Sequence, residues 1–125
     1  HGVLSISAGV DNSRIEEGIK GIIGECIRLK EEMIPDAELQ KAKDYIAGTM
    51  MLGLETSDAR AEFCGLQETL KKFVESPEDM IMAVNRITAD DVQRLARTIF
   101  VNEGLNMAII GRMRDAGAFG NYFKF

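Results

Sequence analysis

Apolar residues alternate with a period of two near the N-terminus of the chain. Within residues 2–10 every second position is the more apolar one: Leu4, Ile6, Ala8 and Val10. A second short apolar run, residues 105–110, follows a turn at residues 102–104. A period of two is typical of a strand with one greasier face. We therefore predict two strands, at residues 2–10 and 105–110.

Between these two segments the apolar residues recur every three or four positions, which is the helical period. The clearest stripe belongs to the first predicted helix: Ile15, Ile19, Ile22, Cys26 and Leu29. The same helix has glycine at every third position: Gly18, Gly21 and Gly24. Each glycine costs about 1 kcal/mol relative to alanine inside a helix. We expect close packing of this helix against a sheet to offset that cost.

Further helices are predicted over residues 36–54 and 59–74, with a break at residues 55–58, where capping side chains cluster. The buried stripe predicted for the second of these helices is Phe63, Leu66, Leu70 and Phe73. Hydroxyl residues followed three positions later by an acidic residue predict three helix starts: Ser13 with Glu16, Ser76 with Asp79, and Thr88 with Asp91.

The order of elements predicts an α+β fold in which helices pack on one face of a small β-sheet. The first strand has no hairpin partner before it, so we expect the fold to be incomplete at its N-terminus. We assign residues 1–111 to a partial α/β domain and residues 112–125 to an aromatic-rich C-terminal tail. Such a tail usually docks on its own domain or on a neighbour.

Composition excludes several classes of partner. The 125 residues carry a net charge of −5, which argues against general affinity for nucleic acid or for anionic membrane surfaces. No apolar run approaches the roughly 20 residues that span a bilayer. Two cysteines, Cys26 and Cys64, are too few for a disulfide framework, and both lie among helix-spaced apolar residues. We expect two buried thiols and a reducing, cytoplasmic location.

The candidate chemistry is sparse. The only histidine is His1, and a catalytic zinc usually takes three protein ligands, so no self-contained metal motif can be assembled. We predict no catalytic and no metal-binding residue in this chain. Neighbouring acidic pairs such as Glu31 and Glu32 diverge around a helix and are interpreted as capping or solvated groups. The methionines at 33, 50, 51, 80 and 82 could line an adaptable peptide-binding surface, with core filling as the default.

Several strings, in this order along the chain, resemble the pitrilysin/insulinase family of zinc peptidases, most closely its processing-peptidase branch. They are GVLSISAGVDNSRIEEGIKGI, AELQKAKDYIAGTMMLGLETSDARAEFCGLQE, SPEDMIMAVNRITADDVQRLARTIF and LNMAIIG. The resemblance covers residues 2–111. It implies a domain like the metallohydrolase domains of processing peptidases, which close around a chamber where a peptide is cleaved.

The resemblance also implies which residues are missing here. In that family an inverted H-x-x-E-H motif binds zinc and activates water, and a later helix supplies a third ligand, a glutamate. That helix corresponds to residues 42–49 of this chain, and Thr49 falls where the ligand glutamate would sit. An Arg and a Tyr that position substrate would lie just before residues 2–10. The chain therefore resembles the second half of a non-catalytic, C-terminal type domain.

Glu55 and Arg60 are the candidate substrate-contact residues, because charged groups at a helix break can face a cavity and bind peptide backbone. The competing interpretation is structural, with Arg60 joining the two helices by a charge-assisted hydrogen bond.

Two functions remain open. The chain could be the non-catalytic domain of a zinc-dependent metalloendopeptidase, shaping the chamber and packing on the catalytic domain, which would hold the zinc. Alternatively, it could be an inactive homologue that binds a peptide or a partner. The expected partners are a catalytic domain or subunit of the family, a peptide substrate and, through open strand edges, a second copy of the chain.

Overall fold

The computed structural model describes residues 2–112 and 116–125. Over these ranges the chain forms five α-helices: α1 (Ile15–Glu31), α2 (Asp36–Gly53), α3 (Ser57–Lys71), α4 (Pro77–Asn85) and α5 (Ala89–Ile99). Short 3₁₀ turns occur at Asn12–Arg14, Asn102–Gly104 and Ala116–Tyr122. The break predicted between α2 and α3 is confirmed.

The predicted α+β fold is wrong. Within the described ranges no residue lies in a strand, and the segments at 2–10 and 105–110 do not form a sheet. A period of two reports how side chains would alternate along a strand, whereas a sheet also requires a neighbouring backbone that completes the hydrogen-bond ladder. Residues 2–10 are exposed throughout. Leu105 and Ile109 pack instead against the core of α1.

The chain divides into two compact units. Unit 1 consists of the described residues up to 33 and from 92 onward, and unit 2 consists of Ile34–Asp91.

The core of unit 1 is built on α1. Its buried residues are Ile15, Ile19, Ile23 and Cys26. Three residues of the predicted stripe, Ile15, Ile19 and Cys26, are therefore confirmed as buried. Ile22 and Leu29 are only partly buried, and Ile23 is buried instead. The expected close packing at glycine holds only at Gly18, where an added Cβ would lie 3.0 Å from the side chain of Val10. Gly21 and Gly24 face open space.

The aromatic C-terminal residues complete this core. Phe119, Tyr122, Phe123 and Phe125 pack against the isoleucines of α1. Phe125 also joins the second buried cluster, which contains Cys26, Ala96 and Phe100, and its ring centroid lies 5.5 Å from that of Phe100. The domain boundary after residue 111 stays a prediction.

Polar contacts fix this aromatic segment in place. The backbone N–H of Phe125 donates to Oδ1 of Asn102 at 2.8 Å. The Nζ of Lys20 lies 4.2 Å from the ring centroid of Tyr122, a cation–π distance. Lys30 donates to the carbonyl of Phe100 at 2.8 Å. Phe125 is thus held through both its backbone and its ring.

The helix starts of unit 2 follow the sequence signals. Ser76 accepts from the backbone N–H of Asp79 at 3.1 Å, and Thr88 accepts from that of Asp91 at 3.2 Å. Both predicted capping pairs are confirmed.

The predicted capping pair at the start of α1, in unit 1, is wrong. Asp11 accepts from the backbone N–H of Ser13 at 2.8 Å. Glu16 pairs instead with Lys20, with Nζ and Oε1 2.6 Å apart. An acidic residue before Ser13 therefore takes the capping position.

The predicted burial of the α3 stripe is also wrong. Leu66, Leu70 and Phe73 are 54%, 78% and 54% exposed. The buried residue of α3 is Gln67, whose amide donates to the carbonyl of Glu75 and accepts from its N–H. The chain leaves the helix at Lys72, which has a φ of 63°, so Phe73 lies beyond the last turn. The backbone at Glu75 therefore covers Gln67, whereas Leu66 and Leu70 stay exposed.

We expect Phe125→Ala to loosen α1, because this ring contacts both clusters of unit 1. Truncation of a partly buried Phe should cost about 2 kcal/mol, less than a fully buried one. Backbone amides in the middle of α1 should then exchange with solvent roughly 30-fold faster, measured by hydrogen–deuterium exchange.

The matched control is Phe73→Ala. The Nζ of Lys30 lies 5.4 Å from the ring centroid of Phe125, and that of Lys71 lies 5.6 Å from the ring centroid of Phe73 in unit 2. This variant should leave α1 exchange unchanged. Equal acceleration by the two variants would contradict a specific role of Phe125.

Candidate functional site

Unit 2 contains an open groove with a volume of about 390 Å³. Its walls are the C-terminal half of α2, the residue that follows α2, and one residue of α3: Tyr45, Ile46, Thr49, Met50, Gly53, Leu54 and Phe63. The α2 residues are spaced by one, three and four, so they share one helix face. Apart from the Thr49 and Tyr45 hydroxyls, the lining side chains are apolar. We call this feature the α2–α3 groove.

The groove exists because α2 and α3 are separated by a short break. The backbone N–H of Leu54 donates to the carbonyl of Met51 at 3.3 Å, which closes α2. Thr56 then accepts from the N–H of Ala59 at 3.2 Å and starts α3. In unit 2 the main helix partner of α2 is α4. Among the groove residues of α2, Tyr45 and Ile46 are 73% and 43% exposed.

Arg60 holds the two sides of the break together. Its Nε donates to the carbonyl of Leu54 at 2.8 Å. The last carbonyls of a helix have no partner within the helix, and a guanidinium donor gives a stronger hydrogen bond than a neutral group. This contact agrees with the structural interpretation of Arg60. Substrate contact by its remaining N–H groups stays a prediction.

Glu55 lies directly after Leu54, which lines the groove. It is exposed, and no hydrogen bond or ion pair to it is seen within the described residues. Its carboxylate is therefore available to a ligand. Arg60 and Glu55 lie at the same break but do not pair with each other, and substrate contact by Glu55 also stays a prediction.

The residues present do not fit a catalytic zinc. Within the described ranges no three His, Cys, Asp or Glu side chains are grouped so that they could hold a metal ion. Thr49, at the position where the resemblance implies a ligand glutamate, lines an apolar groove. A neutral hydroxyl is not among the usual zinc ligands. No step of zinc chemistry can be assigned to these residues.

The two thiols differ, contrary to the prediction that both are buried. Cys26 is 3% exposed in the core of unit 1. Its burial raises the pKa of the thiol, and the charge of Glu25 raises it further. Cys64 is exposed on α3. No disulfide links them.

The groove was not predicted as a unit. The sequence singles out three of its residues: Thr49 by the resemblance, Met50 for the core or a peptide-binding surface, and Phe63 for the buried stripe of α3. The groove residues that the sequence does not single out are Tyr45, Ile46, Gly53 and Leu54. The absence of charge on one face over the last three turns of α2 was the available signal.

Comparison with known proteins identifies relatives. An uncharacterized zinc protease of Streptomyces coelicolor is 26% identical over 117 residues, which is 94% of this chain and 25% of that protein. The beta subunit of the mitochondrial-processing peptidase of Saccharomyces cerevisiae is 31% identical over 93 residues, 74% of this chain and 20% of that protein. These relatives support a pitrilysin/insulinase-like family of zinc peptidases.

A third relative agrees with this assignment. The uncharacterized zinc protease YmxG of Bacillus subtilis is 26% identical over 102 residues, 82% of this chain and 25% of that protein. No family model matches the chain. The matched parts span about a quarter or less of the length of these relatives. The resemblance to zinc peptidases drawn from the sequence strings is confirmed.

None of the described helices has the length and apolar character needed to cross a membrane.

We expect Arg60→Ala to lower the free energy of unfolding by about 1.5 kcal/mol, because the Leu54 carbonyl loses a charged hydrogen-bond donor. Urea denaturation followed by circular dichroism measures this. Glu55→Gln should change the value by less than about 0.5 kcal/mol, since the side chain is exposed and unpaired. A neutral result for Arg60→Ala would show that the bond does not stabilise the break.

The thiols should differ in reactivity toward iodoacetamide at mildly alkaline pH. The thiolate is the reacting species, so the raised pKa and burial of Cys26 should protect it, whereas Cys64 is accessible. Mass spectrometry of the folded chain should show one modified cysteine, and two after denaturation. Rapid modification of Cys26 in the folded chain would contradict the buried core of unit 1.

Proposed function

We propose that this chain is a non-catalytic domain of a zinc-dependent metalloendopeptidase, in which it shapes the chamber that receives peptides and packs on the catalytic domain. The zinc belongs to that catalytic domain. The observation that carries the proposal is the α2–α3 groove. At the place where a ligand-bearing helix of this family would present a glutamate, α2 presents Thr49 within an apolar surface.

The groove is suited to binding a peptide rather than to cleaving it. Its walls offer Tyr45, Ile46 and Phe63 to apolar side chains. Glu55 follows the lining residue Leu54 in sequence, and Arg60 donates to the Leu54 carbonyl. Apolar walls with a few polar groups that fix orientation are typical of ligand sites. The groove carries no histidine or cysteine that could act as a base or nucleophile.

The uncovered apolar side chains support packing on another domain. In unit 2 these include Leu52, Leu66 and Leu70, which are 69%, 54% and 78% exposed. Exposed apolar surface of this extent marks a protein interface more often than free surface. A catalytic domain or subunit of the same family is the proposed partner, with self-association of the chain as a further way to cover this surface. The yeast relative is by its name one subunit of a peptidase.

The same groove also favours a second candidate function. An inactive peptidase homologue could use the apolar groove and the exposed apolar side chains to bind a peptide or partner without cleaving it. The two candidates differ only in whether the intact protein cleaves.

A cytoplasmic location is part of the proposal. Cys64 is a free, exposed thiol, and such thiols persist in reducing compartments.

The test compares the intact gene product with the 125-residue chain. Both are incubated with an unstructured peptide, with and without EDTA, and the products are analysed by mass spectrometry. We expect EDTA-sensitive cleavage by the intact gene product and none by the chain. The chain, carrying an affinity tag, should also retain the separately expressed remainder of the gene product.

Cleavage by the chain alone would overturn the non-catalytic assignment. Peptide binding without cleavage by the intact gene product would favour the inactive homologue.

A further inference from the structure

We propose that two copies of the chain can exchange the aromatic segment that covers α1 in unit 1. We call residues 119–125 the strap. In the exchanged form the strap of each copy leaves its own α1 and occupies the same place on the other copy. The proposal concerns unit 1 alone, so it does not depend on the α2–α3 groove or on the proposed peptidase function.

The strap is held at a docking site around Phe125. Its ring packs against the buried cluster of Cys26, Ala96 and Phe100. The side-chain amide of Asn102 binds both sides of its backbone, since Oδ1 accepts from the N–H at 2.8 Å and Nδ2 donates to the carbonyl at 3.4 Å. We call these partners the Phe125 site. An aromatic ring and one backbone unit are therefore recognised together.

A second anchor binds the strap at Tyr122. The Nζ of Lys20 lies 4.2 Å from the ring centroid of Tyr122 and 2.6 Å from Oε1 of Glu16. The Lys20 ammonium, and after it a hydrogen bond with Tyr122, lower the pKa of the Glu16 carboxyl. Tyr122 is thus bound by an ion pair on one face of α1. The strap presents two aromatic anchors three positions apart, and each has its own partners.

Contacts outside the strap hold the walls of the Phe125 site together. The Nζ of Lys30 donates to the carbonyl of Phe100 at 2.8 Å, and the Nε of Arg97 donates to the carbonyl of Lys30 at 3.0 Å. These two bonds join the end of α1 to the end of α5. Leu105 and Ile109 also pack on the isoleucines of α1. A strap that leaves therefore uncovers a docking site that is already assembled.

The contacts of the strap allow it to open while the helices stay folded. The strap contains part of a 3₁₀ turn rather than an α-helix, and its aromatic residues are only partly buried. Its release costs side-chain contacts but no α-helical hydrogen bonds, and segments of this kind open before the whole domain unfolds. We take the open form as about 1% of molecules, within the usual range for a minor state.

An exchanged strap makes the same contacts on the second copy that it makes on its own. Exchange of an identical element is therefore a low-cost route to a dimer. A strap attached to its own chain has an effective concentration of about 1 mM. With about 1% of straps open, an accessible Phe125 site should bind the strap of another copy with a Kd of about 10 µM. Wild-type copies should exchange at about 1 mM, where the second copy matches the effective concentration.

Charge favours contact between copies through unit 1. Residues 34–91, which form unit 2, contain twelve Asp and Glu against six Lys and Arg, a net charge of −6. The whole chain carries −5, so the remaining residues sum to +1. Two copies that meet through unit 2 bring like charges together, which is unfavourable. Contact through unit 1 avoids that repulsion.

The experiment mixes two variants of the 125-residue chain. The recipient, Tyr122→Ala with Phe125→Ala, has a Phe125 site and no functional strap. The donor, Asn102→Ala, has an intact strap and a weakened site. Alkylation of Cys26 by iodoacetamide reports whether the site is covered, and the masses of the two variants separate their signals. Circular dichroism verifies that both variants are folded.

The two variants should complement each other. In the recipient alone, Cys26 should react about tenfold or more faster than in the wild-type chain, because Phe125 no longer covers it. Loss of the Asn102 hydrogen bonds should raise the open fraction of the donor strap about tenfold, to about 10%. The donor should then protect Cys26 of the recipient, with a half-maximal effect at about 100 µM.

Two controls isolate the strap. A donor that also carries Tyr122→Ala and Phe125→Ala has no functional strap and should give the recipient no protection. Asn106→Ala is the matched control for Asn102→Ala, because Asn106 is also an exposed asparagine that binds a backbone carbonyl, that of Gly104 at 3.1 Å. It should leave Cys26 as protected as in the wild-type chain.

A second measurement uses the unaltered chain, so it decides the question even where the recipient does not fold. Equal amounts of isotope-labelled and unlabelled chain are mixed and treated with an amine-reactive cross-linker. Links between Lys20 and Lys124 are followed by mass spectrometry, because Lys124 belongs to the strap and the Lys20 ammonium lies over Tyr122. Links that join a labelled to an unlabelled chain should appear at about 1 mM and become rare at about 10 µM.

Several results would overturn the proposal. Equal protection by the donor and by its strapless control would show that the strap does not act between copies. The absence of mixed links at about 1 mM would show the same for the unaltered chain.

Two further outcomes would also contradict it. Unchanged reactivity of Cys26 in the folded recipient would show that the strap does not cover the Phe125 site. Mixed links between Lys20 and Lys124 that persist in the recipient would assign the association of copies to a different surface.

Discussion

Burial of the isoleucine stripe of α1 by residues from the last fifth of the chain is the contact on which unit 1 depends. Ile15, Ile19 and Ile23 have no sheet to pack on, and the aromatic residues near the C-terminus cover them instead. Phe125 is central to this arrangement because it contacts both buried clusters. The connection is long in sequence, so the core forms only when the two ends of the chain meet, which costs loop-closure entropy.

Unit 2 is stabilised differently. Its buried apolar content is small, with Leu54 as the buried hydrophobic residue among those described. Side chains that bind backbone groups connect its helices: Arg60 to Leu54, Gln67 to Glu75, and Lys43 to Asn85. Such bonds fix the ends of helices without filling the space between them. Because few apolar side chains of unit 2 are buried, the groove between α2 and α3 stays open. This open groove is the basis of the proposed role of unit 2.

The sequence predicts the parts of this fold that local interactions decide. Helix starts at Ser76 and Thr88 follow from side chains that cap their own backbone three residues later. The α1 stripe follows from helical period alone. The strand predictions were wrong because a strand must pair with a neighbouring backbone, and the period of apolar residues along the chain carries no information about that neighbour.

The α3 stripe and the groove likewise depend on elements distant in the fold, which the sequence pattern does not report. Leu66 and Leu70 have the spacing of a buried face, but burial requires an element opposite them, and none of the described residues provides one. Charge on unit 2 could have been counted from the sequence, whereas its coincidence with an apolar groove required the boundaries of the unit. Thr49 was singled out by resemblance, and only the structure shows that its surroundings are apolar.

If the chain contributes peptide contacts but no metal ligand to a peptidase of this family, the isolated chain should not bind zinc. Isothermal titration of zinc chloride into the folded 125-residue chain at neutral pH tests this most directly. The expected result is no saturable binding, against apparent free energies of about 10 kcal/mol or more for protein zinc sites. One equivalent bound at sub-micromolar affinity, lost on substitution of Thr49 or of residues lining the same groove, would contradict the non-catalytic assignment.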